Sequence, residues 1–477
     1  MSRHVILGGG PAGIAAIDTI RAVEGSNASI TLVSDEPAYS RMVLPYYLAQ
    51  EIPEPHVLIG DQNYFTRQKV ETHLGVRAQA VNAQTKTVTL SDGKTLTFDN
   101  LLIATGSSAQ RPPFPGANLD GVHTFWTLDD ARKTIAKGQG TPEAVLVGAG
   151  FIGFIVLNAM AKRGWKLSVV EMEQHVLPRM LDQQGATAVE GWLRNRGVAL
   201  HTGAQVQGIT RDNSGKLTLT LSTGATIRAD LVILATGIKP NIEFLSGSGL
   251  TMNGGVVVND RLQTNIPGIY AAGDVAAGID LLSGTSAVHA IQPTAVDHGR
   301  VAGANMAGKE THYPGSLLIN VLDVVKLHCA SFGLWRAEGR EVTIVANPTR
   351  PLYRKYVWEG DRLVGALFVG PIDDVTMLND VGMAKGFIQT KKPLGIWANY
   401  IRSHPTDLRR AYVATGVANA LIPQTLLGTA SRERDYRVNG VTPAAWNKAP
   451  HATLVQTRPA KYAELKPTPT PGIGKSQ

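Results

Sequence analysis

Gly8, Gly10 and Gly13 have the spacing with which a chain holds a phosphate through its own backbone. Val5-Ile6-Leu7 reads as a short buried strand, and Ile14 to Ile20 as the helix that follows. In that setting Gly8 makes the sharp turn, Gly10 lets backbone approach a pyrophosphate, and Gly13 lets the helix pack on the strand. The helix starts at Pro11, and its first turn from Ala12 onward leaves free N–H groups for an anion. About twenty residues on, Ile30-Thr31-Leu32-Val33 is the next strand. It ends in acid, Asp35 or Glu36, the side-chain type that hydrogen-bonds a ribose 2′-hydroxyl. Arg41 follows, either to pair with a phosphate or as a surface arginine.

The same chemistry is written a second time. Ala144-Val145-Leu146-Val147 precedes Gly148, Gly150 and Gly153, with Phe151 and Ile152 inside the turn, and Leu167 to Val170 leads to Glu171. A lone glycine triplet is a common turn. Two complete strand–turn–helix–strand–acid units point to two dinucleotides. Glu171 is followed by Met172-Glu173-Gln174 with no arginine, so a 2′-phosphate on the second ligand would meet Glu171 and Glu173.

These turns need sheets to carry them. Asn100 to Ile103 is a buried strand ending in Ala104-Thr105-Gly106. Asp230 to Leu234 repeats it, ending in Ala235-Thr236-Gly237, so residues 5–106 and 145–237 read as an internal duplication. A further buried strand, Ile269-Tyr270-Ala271-Ala272, ends in Gly273-Asp274 and delivers a carboxylate to the edge where open α/β sheets bind ligands. A helix follows over about 293–307, and residues 317–410 turn to alternating strands. The last ~35 residues are proline-rich with little periodicity, a composition without independent structure.

Composition sets limits. The chain has 477 residues, 43% hydrophobic and 18% charged, which fits an ordinary globular protein of more than one domain. No apolar run approaches the ~20 residues of a membrane span. The N-terminus enters a strand at once, so no signal peptide is expected and a cytoplasmic place is. Cys329 is the one cysteine. That excludes an internal disulfide, a CxxC pair and a cysteine-held cluster or metal, so redox chemistry must use a borrowed cofactor. Its surroundings read as those of a small buried hydrophobe. Of the net charge of +8, residues 411–477 carry +5, from eight Lys/Arg against three acids. A concentration in one tail argues against nucleic acid as the partner.

Together these signals resemble the FAD-dependent pyridine-nucleotide reductases, the superfamily of glutathione reductase, NADH oxidase and the rubredoxin and ferredoxin reductases. The resemblance covers about residues 4–400. It implies an α/β chain with two Rossmann-like units: a discontinuous FAD-binding unit (1–115 and 244–314) and an inserted NAD-binding unit (116–243). A smaller α+β interface domain (315–410) and a basic extension contacting a partner (411–477) would follow. FAD would lie on Gly8, Gly10, Pro11, Ala12, Gly13, Asp35 or Glu36, Arg41, Ala104, Thr105, Gly106 and Gly273. Asp274 would hold the ribityl chain, and the backbone at Gln292, Pro293 and Ala295 the pyrimidine edge. NAD(H) would lie on Gly148, Gly150, Ile152, Gly153, Glu171 and Gly237, with Phe151 shielding the flavin until nicotinamide displaces it.

The chain departs from that family at three places. Where some members carry a redox cysteine, residues 44–47 read Leu-Pro-Tyr-Tyr. Where ferredoxin reductases often place a lysine, Tyr46 stands. Where an acid helps place the nicotinamide amide, Ile155 stands. The expectation is a flavoprotein that exchanges hydride with NAD(H) and single electrons with an acidic iron–sulfur protein or cluster-bearing subunit, in a hetero-oligomer or alternatively a homodimer. It looks similar to the FAD subunits that join iron–sulfur 2-oxoacid:acceptor oxidoreductases, such as phenylglyoxylate dehydrogenase, to NAD. A stand-alone reductase or oxidase using a diffusing carrier, quinone or oxygen, and a non-catalytic flavin-bearing scaffold, are the alternatives.

Overall fold

Strand Arg3–Leu7 lies at the centre of a five-stranded parallel sheet, and its four C-terminal residues are fully buried. The structure, a computed structural model, describes residues 2–347 and 349–421. The order of that sheet is Ile269–Ala271, Asn100–Ile103, Arg3–Leu7, Ser29–Ser34, Val70–Leu74. Near-continuous apolar strands are what a parallel sheet covered on both faces requires.

A second five-stranded parallel sheet has the same plan. Its order is Val122–Thr124, Leu231–Leu234, Glu143–Val147, Lys166–Glu171, Ala199–Thr202. Each sheet also carries a three-stranded antiparallel meander: residues 78–97 beside the first, 206–229 beside the second. The duplication read from the Ala-Thr-Gly repeats therefore extends to four strands and the meander, while the edge strand comes last in the first sheet and first in the second. Because Ile269–Ala271 returns to the first sheet, the first unit is discontinuous and the second is inserted in it. Entry and exit of the insert run side by side, as Ser107–Ala109 pairs antiparallel with Ile238–Pro240.

The third body is a five-stranded antiparallel sheet in the order Ile319–Val324, Leu327–Gly333, Arg362–Pro371, Leu352–Glu359, Glu341–Asn347. Helix Val375–Thr390 packs on it, followed by Ile396–Ser403 and Leu408–Ala414. That last helix crosses position 410, where the sequence reading begins the extension, and Ala411 and Val417 are buried in the apolar core beneath it. The basic, proline-rich residues from 422 onward lie outside the described residues. Among the described residues, no helix is long and apolar enough to cross a membrane.

The third sheet shares a core with the second unit rather than standing apart. Leu327, Cys329, Tyr353, Leu367 and Val369 are buried in one cluster with Leu146, Leu157, Met160 and Val189. Polar bonds join the two bodies as well. Asp182 caps helix Gln183–Arg194 at Gly185 N, and the same carboxylate accepts from Tyr353 Oη and Lys355 Nζ, each at 2.8 Å.

Candidate active site

Both glycine turns open into one cavity of about 1840 Å³. Every residue expected to touch a cofactor lines it except Gly13 and Gly153. Those two face inwards: a Cβ on Gly13 would stand 2.1 Å from Gly8 O, and one on Gly153 2.3 Å from Gly148 O. Gly8 and Gly148 themselves have φ of +112° and +99°, which disfavour any side chain, and each abuts a backbone carbonyl of the neighbouring Ala-Thr-Gly strand. At Gly10 and Gly150, by contrast, nothing lies within 4 Å of where a Cβ would be.

Helices Pro11–Glu24 and Phe151–Lys162 start at Gly10 and Gly150, and neither start is capped by a side chain. Their first N–H groups are left for a ligand, and the helix dipole favours an anion there. Helix Gln292–Met306 also begins at the cavity without a side-chain cap. Open cradles, uncapped helix starts and a partly satisfied Asp274 all fit two dinucleotides.

The acids after the two second strands differ in use. Asp35 pairs outward with Arg77 at 2.6 Å, whereas Glu36 pairs with Arg41 at 2.8 Å. Arg41 is held further by the backbone oxygens of Ser107 (3.5 Å) and Trp126 (3.3 Å), and its guanidinium sits 5.2 Å from the Trp126 ring. Glu171 is buried, accepting from Ala149 N at 2.6 Å and Glu173 N at 2.9 Å. It therefore ties the second glycine turn to its own strand end. A carboxylate has about four acceptor positions, so these two bonds leave two open.

Asp274 is half-buried at the Gly-Asp turn, and Ser107 Oγ donates to it at 2.8 Å. Burial pushes its carboxyl above the ordinary range, against the opposing pull of Ser107 and Arg41. Gln292 Oε1 accepts from Ser40 Oγ at 2.5 Å. Ser40, Ser107 and Trp126 escaped the sequence reading. Ser107 follows an Ala-Thr-Gly repeat directly, which was its one available signal.

The departures also have places. Ile155 lines the cavity and packs on the core of the second unit. Tyr46 is 51% exposed at the cavity, with Lys162 Nζ 5.7 Å from its ring centre and bonded to Glu51 at 2.7 Å. Cys329 is fully buried in the third sheet and does not line the cavity. Burial pushes its thiol far up from the ordinary value.

The family model described as pyridine nucleotide-disulphide oxidoreductase matches residues 2–299. The chain is 32% identical over 424 residues to NADH-dependent phenylglyoxylate dehydrogenase subunit epsilon from Aromatoleum evansii, covering 87% of this chain and 96% of that one. It is 29% identical over 372 residues to the NADH oxidase of Methanocaldococcus jannaschii, covering 76% and 83%. A solved structure of a NAD-dependent persulfide reductase from A. fulgidus matches with a TM-score of 0.78 at 28% identity, over 88% of this chain and 84% of that one. The chain belongs to the pyridine nucleotide-disulphide oxidoreductase family. Within it, this is an NAD(H) oxidoreductase and electron-transfer flavoprotein, with FAD and NAD(H) as its cofactors.

Proposed function

We propose that this chain passes electrons between NAD(H) and a one-electron iron–sulfur carrier, as the NAD-reactive subunit of a larger redox complex. The observation that carries the reading is the position of Cys329. The chain's one thiol is sealed in the third sheet, so no cysteine relay opens on the cavity. Reducing equivalents must then leave for an acceptor outside the chain. FAD, when bound, supplies the conversion between a hydride and single electrons. The 32% identity to the phenylglyoxylate dehydrogenase subunit, over nearly its whole length, supports the placement in a complex.

The residues divide the work. The first glycine turn and the start of helix Pro11–Glu24 hold the FAD pyrophosphate, and Glu36 or Asp35 its ribose. Arg41 and Asp274 fix the middle of the cofactor, and the backbone at Gln292, Pro293 and Ala295 meets the flavin's polar edge. Gly148, Gly150 and Glu171 hold NAD(H), and Phe151 covers the face where nicotinamide enters. Hydride transfer asks for no acid or base, so the protein's contribution is position and exclusion of water.

An anaerobic titration of the flavin-loaded chain with NADH and NADPH tests this, together with native co-purification from the source cells. Bleaching by stoichiometric NADH, weaker bleaching by NADPH, and a co-purifying cluster-bearing protein are expected. No bleaching by either nucleotide would leave only a flavin-bearing scaffold. Full turnover of the isolated chain with quinone or oxygen, and no partner, would make it a stand-alone reductase.

A further inference from the structure

Helix Phe151–Lys162 turns one stripe toward the cavity: Phe151, Ile155, Asn158 and Lys162, spaced by three or four residues. Lys162 is spoken for by Glu51. Asn158 is different. Its Oδ1 accepts the backbone N–H of Val325 at 3.2 Å. That bond assigns the amide, because only the oxygen can face an N–H donor. Nδ2, with its two protons, has no hydrogen-bond partner among the described residues, and it is not sealed from solvent.

The residue that sets this orientation is itself unusual. Val325 and Lys326 form the two-residue turn between Ile319–Val324 and Leu327–Gly333, with φ of 48° and 67°. Such a hairpin turn asks for glycine or asparagine, and a β-branched valine there is strained. Two side chains of the NAD-binding unit hold it: Asn158 at its N–H, and Trp192, whose Nε1 donates to Val325 O at 2.9 Å. Strain kept in place by its surroundings marks a position fixed for use.

We propose that Asn158 is a nucleotide-positioning residue, donating from Nδ2 to the carboxamide oxygen of nicotinamide. It stands one turn beyond Ile155 on the same face. An acid at 155 would accept from the carboxamide NH₂; an oriented asparagine donates to the carbonyl instead. This inference rests on the hydride-site reading above.

Calorimetric binding to the flavin-loaded chain tests it, with NAD and with ADP-ribose, which lacks the nicotinamide. The variants are Asn158→Asp, which keeps an acceptor for Val325 N–H but loses the donor, and Asn158→Ala, which loses both. Asn158→Asp is expected to melt at the wild-type temperature and to bind NAD about fivefold or more weakly, the worth of one hydrogen bond. ADP-ribose binding should be unchanged. With thionicotinamide adenine dinucleotide, whose sulfur accepts poorly, wild type and variant should converge. Equal NAD affinity for wild type and both variants, or a parallel loss for ADP-ribose, overturns the proposal. If wild type itself binds no NAD, the hydride-site reading falls first.

Discussion

Ser107 Oγ donates to Asp274 Oδ2 at 2.8 Å, joining two points 167 residues apart. One follows the first Ala-Thr-Gly strand; the other is the Gly-Asp turn that closes the same sheet after the inserted unit. Through its backbone oxygen Ser107 also receives Arg41, which holds Glu36, so one hydrogen-bonded chain crosses the cavity floor. Ser107→Ala leaves a desolvated carboxylate without its side-chain donor. A bond to a charged group is worth about 1.5–3 kcal/mol. Flavin fluorescence on dilution should show FAD held at least about tenfold more weakly, with Asp274→Ala weaker again.

Gly150→Ala separates binding from folding. The residue has an ordinary φ of −82°, and a Cβ there meets nothing within 4 Å. The melting temperature should stay at the wild-type value. A methyl group in the phosphate cradle should raise the NADH dissociation constant by about tenfold or more, while FAD content is unchanged. Gly148→Ala, with its Cβ 2.4 Å from Ala235 O, should lower stability as well.

Acid should weaken the fold through His298. The ring is buried on helix Gln292–Met306 against Tyr313, and burial lowers its pKa to about 3, with the neighbouring His289 adding to the effect. A folded-state pKa below the unfolded one means stability that is full above about pH 6.5 and lost as pH falls toward 3. The loss from pH 7 to pH 5 is about 2 kcal/mol for this group. His298→Gln should flatten melting temperature against pH in that window.

Asp182 ties the second unit to the third sheet. Asp182→Ala removes a helix cap, worth about 1 kcal/mol. It also strands Lys355, whose side chain is 8% exposed. Breaking a buried pair on one side costs about 3–5 kcal/mol, so chemical denaturation should show a loss of that order. The double variant Asp182→Ala with Lys355→Met should recover part of it.

The glycine turns, the Ala-Thr-Gly strands and the Gly-Asp turn were legible because each is a local demand of backbone stereochemistry on a few adjacent residues. Glu171 was legible as a type, but its bonds to Ala149 and Glu173 depend on how the strand end meets the turn. Trp126 and Asn158 were not legible at all, and Ser107 only through its place after Ala-Thr-Gly. Their roles arise where separate segments meet, and no spacing in the chain announces such a meeting. The helix that crosses position 410 was not legible for a similar reason. Helix Leu408–Ala414 is short, and burial against the third body's core is what makes it part of the domain.

The sealed thiol has a practical corollary. With Cys329 fully buried and its ionisation suppressed, maleimides and similar reagents should find no ready target on the native described fold. A cysteine engineered anywhere on its surface would then be the sole labelling handle, without first clearing the background. Scanning such handles around the cavity rim, with photo-crosslinkers attached, would print the footprint of whatever protein takes the electrons.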